Sequence, residues 1–158
     1  MMEKMKVVVE RLMEKNKTIS SMESCTGGGF ANMVTNIPGA SEVLKFSAVT
    51  YSNEFKIKMG VDSEIIDKYS VYSIECAKSM SKNISDFTNS SYGVGVTGKI
   101  NRADKNNMSG SDSLVYVSIY DRELDKYYTM SIDTIDASRE ENKKMIIRNI
   151  IELLLTII

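Results

Sequence analysis

Apolar residues recur at Met5, Val8, Val9, Leu12 and Met13, the i, i+3, i+4, i+7 and i+8 positions of one helical face, while Glu10, Arg11, Glu14 and Lys15 fall mostly away from it. A first helix that packs and does not react is therefore expected. The pattern then changes. Thr18 to Phe30 (T-I-S-S-M-E-S-C-T-G-G-G-F) begins with strand-favouring and small residues, passes through Glu23-Ser24-Cys25-Thr26 and three glycines, and enters an apolar run, which reads as strand, tight turn, helix. Phe30 to Val34 continues as a short helix until Asn36-Ile37-Pro38-Gly39, where the only proline and the following glycine break the backbone.

Lys45 to Tyr51 has the residues of a second strand suited to a buried sheet. A helical turn follows through Ser52 or Asn53 as N-cap and carries Lys56; Gly60 ends it, and Ser63 is placed to cap a helix over Glu64 to Tyr69. Ser73 opens a longer helix whose inward stripe is expected to be Ile74, Ala77, Ser81, Ile84 and Phe87, with Cys76 off the stripe and an end near Asn89. A third strand, Tyr92 to Val96, runs into Thr97-Gly98, and then Lys99 to Asp112 is polar and aperiodic, long enough to suggest a mobile or functional loop. Leu114 to Tyr120 and Tyr127 to Ile132 read as an antiparallel hairpin, and the last helix starts at about Ser138 with Glu140 and Glu141 at its positive end.

Strands alternating with helices, then a hairpin and a terminal helix, predict an α/β fold: a three-layer α/β/α sandwich with a mixed, mostly parallel sheet and a C-terminal antiparallel hairpin, in a single domain over 1–158. Three strand exits carry Ser24, Tyr51 and Thr97, and if those strands are neighbours the exits converge on one pocket, as strand ends of α/β sheets do.

Composition narrows the chemistry. Lysine and arginine total 20 against 21 acidic residues, so no bulk field attracts nucleic acid or an anionic membrane, and any bound phosphate needs a local site. The greasiest segment, Met145 to Ile158, is interrupted by Arg148, Asn149 and Glu152 and is shorter than the roughly 20 apolar residues of a membrane span. Two cysteines and a start without a long apolar core make a reducing cytoplasm the simplest address. Most decisive is the count of histidines, which is zero. Ser-His-Asp and Cys-His nucleophile chemistry is excluded, as are most zinc sites, and proton transfer must run through lysine, tyrosine or a carboxylate.

Under those limits Ser24, or its neighbour Cys25, is a candidate nucleophile beside backbone donors at the start of a helix, with the N–H groups around Thr26 and Gly27 as an oxyanion hole. Lys56 is a candidate base if burial lowers its pKa, and Tyr51 a candidate proton relay or orienter of the amine. Taken alone, Lys56 also reads as a solvated helix residue.

The chain resembles the CinA C-terminal domain family, whose stand-alone members are nicotinamide-nucleotide amidases. The family's E-S-C-T-G-G is intact as Glu23 to Gly28, its P-G-S-S turn appears as Pro38-Gly39-Ala40-Ser41, and its Y-S-N-E-x-K appears as Tyr51 to Lys56, followed by Gly60-Val61. By match, the resemblance implies a catalytic set of Ser24, Tyr51 and Lys56, with Thr26, Gly27, Gly28, Asn53, Thr97, Gly98 and Arg139 as substrate-binding positions. It further implies hydrolysis of nicotinamide mononucleotide to the acid and ammonia, a small-molecule pyridine nucleotide as partner, no cofactor, no metal, no nucleic acid, no membrane, and self-association as a homo-oligomer. Departures begin after Gly95-Val96-Thr97-Gly98. Lys99-Ile100-Asn101-Arg102 stands where the family has I-A-G-P, and Gly110 to Ser113 stands where it has K-P-V-G. Lys99 and Arg102, like other exposed loop charges, read as solvated. The rewritten loop 99–113 supports an alternative, a catalytically altered member that binds a nucleotide or a partner.

Overall fold

The computed structural model describes residues 1–158, in the order α1 (Met2–Glu14), β1 (Ile19–Glu23), α2 (Gly29–Thr35), a 3₁₀ turn (Ala40–Glu42), β2 (Ser47–Val49), α3 (Asn53–Lys58), α4 (Ser63–Tyr69), α5 (Ile74–Thr88), β3 (Tyr92–Gly98), β4 (Leu114–Asp121), β5 (Lys126–Asp133) and α6 (Arg139–Ile157). One five-stranded sheet runs β2-β1-β3-β4-β5. Its first half is parallel, with β1 between β2 and β3; its second half is antiparallel through β3, β4 and β5. The three strands that carry Ser24, Tyr51 and Thr97 at their exits are thus neighbours. The layered α/β sheet expected from the alternation of elements is the observed one.

The two faces of the sheet are packed by different means. On one face Ile19, Val94, Val96, Val115, Val117 and Ile119 meet Met5, Val8 and Leu12 of α1, Phe30 of α2 and Ile146, Ile150 and Leu154 of α6 in a single apolar core. α6 starts as expected, at a capping box in which Ser138 and Glu141 satisfy each other's backbone N–H groups. Residues one step out of phase point to the other face, where the strands are built of glycine and serine and α5 lies almost on the backbone. A Cβ on Gly93 would stand 2.0 Å from the Ser81 carbonyl oxygen, and one on Gly95 would stand 2.3 Å from that of Ala77. Ser81 and Ser118 hydroxyls meet across this contact at 2.9 Å. A smaller core of Met22, Val61, Val71, Cys76, Met80 and Ile84 completes this layer.

Several local expectations are corrected. Phe87 is 65% exposed, packing its ring against Phe46 at the surface, and Cys76 is fully buried. The buried stripe of α5 is Cys76, Ala77, Met80, Ser81, Ile84 and Ser85: Ala77, Ser81 and Ser85 lie against the glycines of β3, Cys76, Met80 and Ile84 fill the smaller core beside them, and Phe87 falls outside both. β2 is three residues long and lies at the sheet edge with Val49 half-exposed, which follows from β1 having its other side paired to β3. α4 is capped by Asp62, whose carboxylate accepts from the Glu64 N–H at 2.9 Å, one residue ahead of Ser63. No helix is long and apolar enough to cross a membrane.

Gly95→Ala is expected to destabilise the fold by about 1–3 kcal/mol, because the added methyl must displace helix backbone and not a flexible side-chain end. Thermal unfolding checks it, and a Tm within a degree of the parent would mean that α5 is not seated directly on β3.

Candidate active site

The site is assembled where β1 ends. Glu23 is fully buried, and its carboxylate accepts from the Thr26 hydroxyl at 2.7 Å, the Phe30 N–H at 3.0 Å, the Ala31 N–H at 3.1 Å and the Ser21 hydroxyl at 3.3 Å. The last strand residue thus binds the first turn of the following helix, and the residues between are forced into a tight reversal. Gly27 and Gly28 take φ of 60° and 87°, the left-handed region in which a side chain is strained. Ser24 is fixed at the crest of this turn by its own N–H, which donates to the Val96 carbonyl of β3 at 3.0 Å.

The same reversal decides which backbone donors are free. The helix N–H groups expected to face a ligand are taken: those of Phe30 and Ala31 by Glu23, that of Gly29 by the Thr26 carbonyl and that of Gly27 by the Ser24 carbonyl. Gly27 is therefore corrected as an oxyanion donor. The N–H groups of Cys25, Thr26 and Gly28 donate to no backbone acceptor.

Lys56 reaches the turn from the neighbouring strand exit. Thr50, just after β2, donates its N–H to the Glu23 carbonyl at 2.8 Å, and Ser52 caps α3 by accepting from Phe55 N–H. That short helix turns Lys56 inward until its Nζ lies 2.7 Å from the Thr50 carbonyl and 3.1 Å from Ser24 Oγ. Lys56 is 3% exposed, so the solvated alternative is ruled out. No carboxylate pairs with it. Burial therefore dominates and holds its pKa below the usual lysine value, with partial opposition from Cys76, Cys25 and Asp104.

A cavity of about 640 Å³ opens beside Ser24. Tyr51, Asn53, Gly98 and Arg139 line it, while Lys56 lies behind Ser24 and out of the lining. Tyr51 is 65% exposed and its hydroxyl bonds to nothing in the chain, so the group that orients the Lys56 amine is the Thr50 carbonyl. Thr97 is fully buried and donates its hydroxyl to the Val71 carbonyl at 2.7 Å, which ties down the approach to α5 and leaves nothing for a ligand. The Thr26 hydroxyl is likewise committed to Glu23, and Gly27 and Gly28 shape the turn without lining the cavity. Arg139 donates to the Ile100 carbonyl at 3.1 Å.

The far wall comes from the aperiodic loop. Asn107 and Asn53 exchange amide hydrogen bonds at 2.8 and 3.2 Å, and Asp104 accepts from Tyr72 Oη, the Asn106 N–H and Asn107 Nδ2. Lys99, expected to be solvated, is 3% exposed, with Nζ 3.2 Å from Asp112 and 4.8 Å from the Tyr72 ring centroid. Glu23, Thr50 and the Asp104 cluster were not singled out from sequence. The one available signal was for Glu23, an acid directly ahead of a small-residue turn into a helix.

With this geometry in view, the chain matches the CinA C-terminal domain over residues 2–158. It belongs to that family. A Clostridium kluyveri protein named for competence-damage induction is 41% identical over 121 residues, covering 75% of this chain and 29% of that relative. The chain thus spans less than a third of the length of that relative. Among solved structures, a competence-damaged protein (CinA) superfamily protein from Klebsiella pneumoniae superposes with a TM-score of 0.88 at 19% identity, covering 97% of this chain and 94% of that one. A competence/damage inducible protein from Agrobacterium tumefaciens gives 0.82 at 25% identity, with the same coverage.

In this CinA domain the cysteine beside Ser24 is buried and held as a thiol. Cys25 is 3% exposed, and burial pushes its thiol up to about 12 against the lesser pull of Lys56 and Arg139. Cys76 is raised by burial to about 11. Neither is a thiolate at neutral pH.

Glu23→Gln is expected to cost about 1–3 kcal/mol, because either orientation of the amide turns its NH₂ toward the Phe30 or the Ala31 N–H and leaves that donor unsatisfied; chemical denaturation reads it, and unchanged stability would remove Glu23 as the anchor of the turn. Lys56 gives a signed pH effect. The native state loses the Lys56 proton at lower pH than the unfolded chain, so between the lowered pKa and about 10.5 the unfolded state binds more protons and native stability gains with rising pH from this group. Unfolding free energies of the parent and Lys56→Met should therefore run parallel below that window and diverge in the parent's favour within it. Parallel curves throughout would mean that Lys56 titrates normally.

Proposed function

We propose that this CinA-family chain is a serine amidohydrolase that releases ammonia from the carboxamide of nicotinamide mononucleotide or a closely related pyridine nucleotide. The observation that carries the reading is the 3.1 Å approach of Ser24 Oγ to a buried Lys56 amine that has no carboxylate partner, in a chain with no histidine. A lysine without a counter-charge is the kind of base that works near neutral pH.

In this reading the free amine of Lys56 keeps one N–H on the Thr50 carbonyl and accepts the Ser24 proton with its lone pair. Ser24 Oγ attacks the amide carbon, and the oxyanion that forms is met by the Cys25 and Thr26 N–H groups, the first being the residue after the nucleophile, a frequent source of such a donor. The new ammonium of Lys56 returns its proton to the leaving nitrogen, ammonia departs, and an ester remains on Ser24. Water, deprotonated by Lys56, then attacks the ester, and the carboxylic acid and the free hydroxyl are regenerated. Tyr51, exposed at the mouth, would approach the amine or the ligand once the cavity is filled. Self-association, also implied by the family likeness, would bear on which surfaces stay open.

Purified protein is expected to release ammonia from nicotinamide mononucleotide, and Ser24→Ala and Lys56→Met are each expected to lower kcat by about 10³-fold or more. The rate should rise with pH along a limb set by Lys56, with its midpoint below 10.5, since only the uncharged amine is a base. Full activity in either variant would end the mechanism. Saturable nucleotide binding without turnover would favour the binding-module alternative suggested by the rewritten loop.

A further inference from the structure

Among the buried side-chain oxygens and nitrogens of the chain, one has no hydrogen-bond partner, the hydroxyl of Thr50. Thr50 is 2% exposed, so bulk solvent does not answer it either, and an unpaired buried hydroxyl is a cost that folded proteins avoid almost everywhere. The backbone of the same residue is fully engaged at the site: its N–H donates to the Glu23 carbonyl at 2.8 Å, and its carbonyl accepts from Lys56 Nζ at 2.7 Å. Strand phase sets the direction of the side chain. Ala48 is opposite Met22 and packs with it in the smaller core, while Val49 is opposite Glu23 and lies against Gly28. Two residues beyond Ala48, Thr50 points to the Ala48 face, the layer from which Cys76 acts on Lys56. Lys56 has an unanswered group to match. Its Nζ donates to two acceptors, the Thr50 carbonyl and Ser24 Oγ, whereas an ammonium has three N–H groups, so the charged form keeps one buried donor without an acceptor. The hydroxyl and the carbonyl belong to one residue, which puts the idle acceptor within a few bond lengths of the idle donor, and rotation about the Cα–Cβ bond moves the hydroxyl without moving the backbone. The titratable groups that face Lys56 from other elements do not supply the contact: Cys25 of the turn and Cys76 of α5 are thiols at neutral pH, and Asp104 of the loop is tied to Tyr72, Asn106 and Asn107.

We infer that Thr50 is a positioning residue for the Lys56 base: its hydroxyl accepts the third N–H of the ammonium and steadies the charged form that exists between deprotonation of Ser24 and protonation of the leaving nitrogen. The catalytic half of this statement rests on the hydrolase reading; the pairing of hydroxyl with ammonium rests on the idle donor and acceptor alone. The contact favours one charge state. An uncharged amine N–H is a weak donor and gains little from a hydroxyl, whereas an ammonium gains a charge-assisted bond. The Thr50 carbonyl therefore holds Lys56 in both states, and the hydroxyl adds a partner in the charged one. By stabilising the ammonium, the hydroxyl raises the pH at which Lys56 loses its proton and so opposes part of the effect of burial. Thr50 neither gives nor takes a proton, so the proton count of the reaction is unchanged.

Thr50→Val keeps the shape of the side chain and removes the hydroxyl, Thr50→Ser keeps the hydroxyl, and Thr50→Ala is a second hydroxyl-free variant should the valine protein fail to fold. The charge of Lys56 is read directly by NMR titration of protein carrying isotope-labelled lysine, with the Lys56 signal identified by its loss in Lys56→Met. Its midpoint is expected to fall by about one pH unit or more in Thr50→Val, the shift for losing a hydrogen bond to a charged group, and to stay near that of the parent in Thr50→Ser. Ammonia release from nicotinamide mononucleotide gives the second readout. On the alkaline side, where Lys56 is a free base in both proteins, Thr50→Val should be about tenfold slower; on the acidic side it should be no slower than the parent, because its ammonium loses the proton more readily. An equal fall at every pH would be structural damage and would overturn the positioning role, as would an alkaline rate that does not fall. A Lys56 midpoint unchanged in the hydroxyl-free variants overturns the pairing whether or not ammonia is released. If the midpoint falls as expected but the parent releases no ammonia, the pairing stands and the hydrolase reading fails.

Discussion

A carboxylate buried at the end of a strand must find donors, and in this chain the four donors that satisfy Glu23 determine where everything reactive lies. Two of them are backbone N–H groups at the start of α2, one is the hydroxyl of the turn and one comes from β1 itself. Meeting them requires the chain to fold back within a few residues, which is why left-handed glycines follow Thr26 and why Ser24 stands at the crest. The helix N-terminus is thereby neutralised from within. Positive ends of helices commonly receive an outside anion; this one has an internal anion, and the backbone donors left unpaired are those of Cys25, Thr26 and Gly28 in the turn.

The second constraint is the company of Lys56. Its amine is held by a carbonyl and a hydroxyl, both neutral, so no charged group in direct contact compensates its charge. A carboxylate in place of either would stabilise the ammonium and remove the base. The carbonyl that does the holding belongs to Thr50, whose own N–H is bonded to the Glu23 carbonyl, so the nucleophile turn and the lysine are registered to the same residue.

Much of this was legible before any coordinates. The heptad-like spacing of α1, the strand-turn-helix at Thr18 to Phe30, the hairpin and the capping of α6 each follow from local chemistry, and the order of strands brought three exits together as the alternation implied. The pairing of Ser24 with Lys56 was implied by the family resemblance, while the residues alone also allowed Lys56 to be a solvated helix residue. What escaped was set by tertiary contact. Phe87 reads as part of an apolar stripe, yet the face of α5 that meets the glycines of β3 and the smaller core ends short of it, and its ring lies at the surface against Phe46. Thr97 reads as a ligand residue at a strand end, yet its hydroxyl is turned to Val71 because side chains alternate along β3 and its phase points to the α5 layer. A carbonyl such as that of Thr50 leaves no mark in a sequence at all.

The loop from Lys99 to Ser113 shows how an aperiodic segment can still be built. Its ties to the rest of the site are polar and few: a reciprocal amide pair between Asn107 and Asn53, a phenol on Asp104, and a buried lysine answered by an exposed carboxylate. None buries much apolar surface, so none is costly to exchange for a ligand contact, and each side chain involved lies on or next to the cavity wall. Asn53 is the informative case. It lies two residues after Tyr51 and three before Lys56, so the loop is fastened to the very helix that carries the amine.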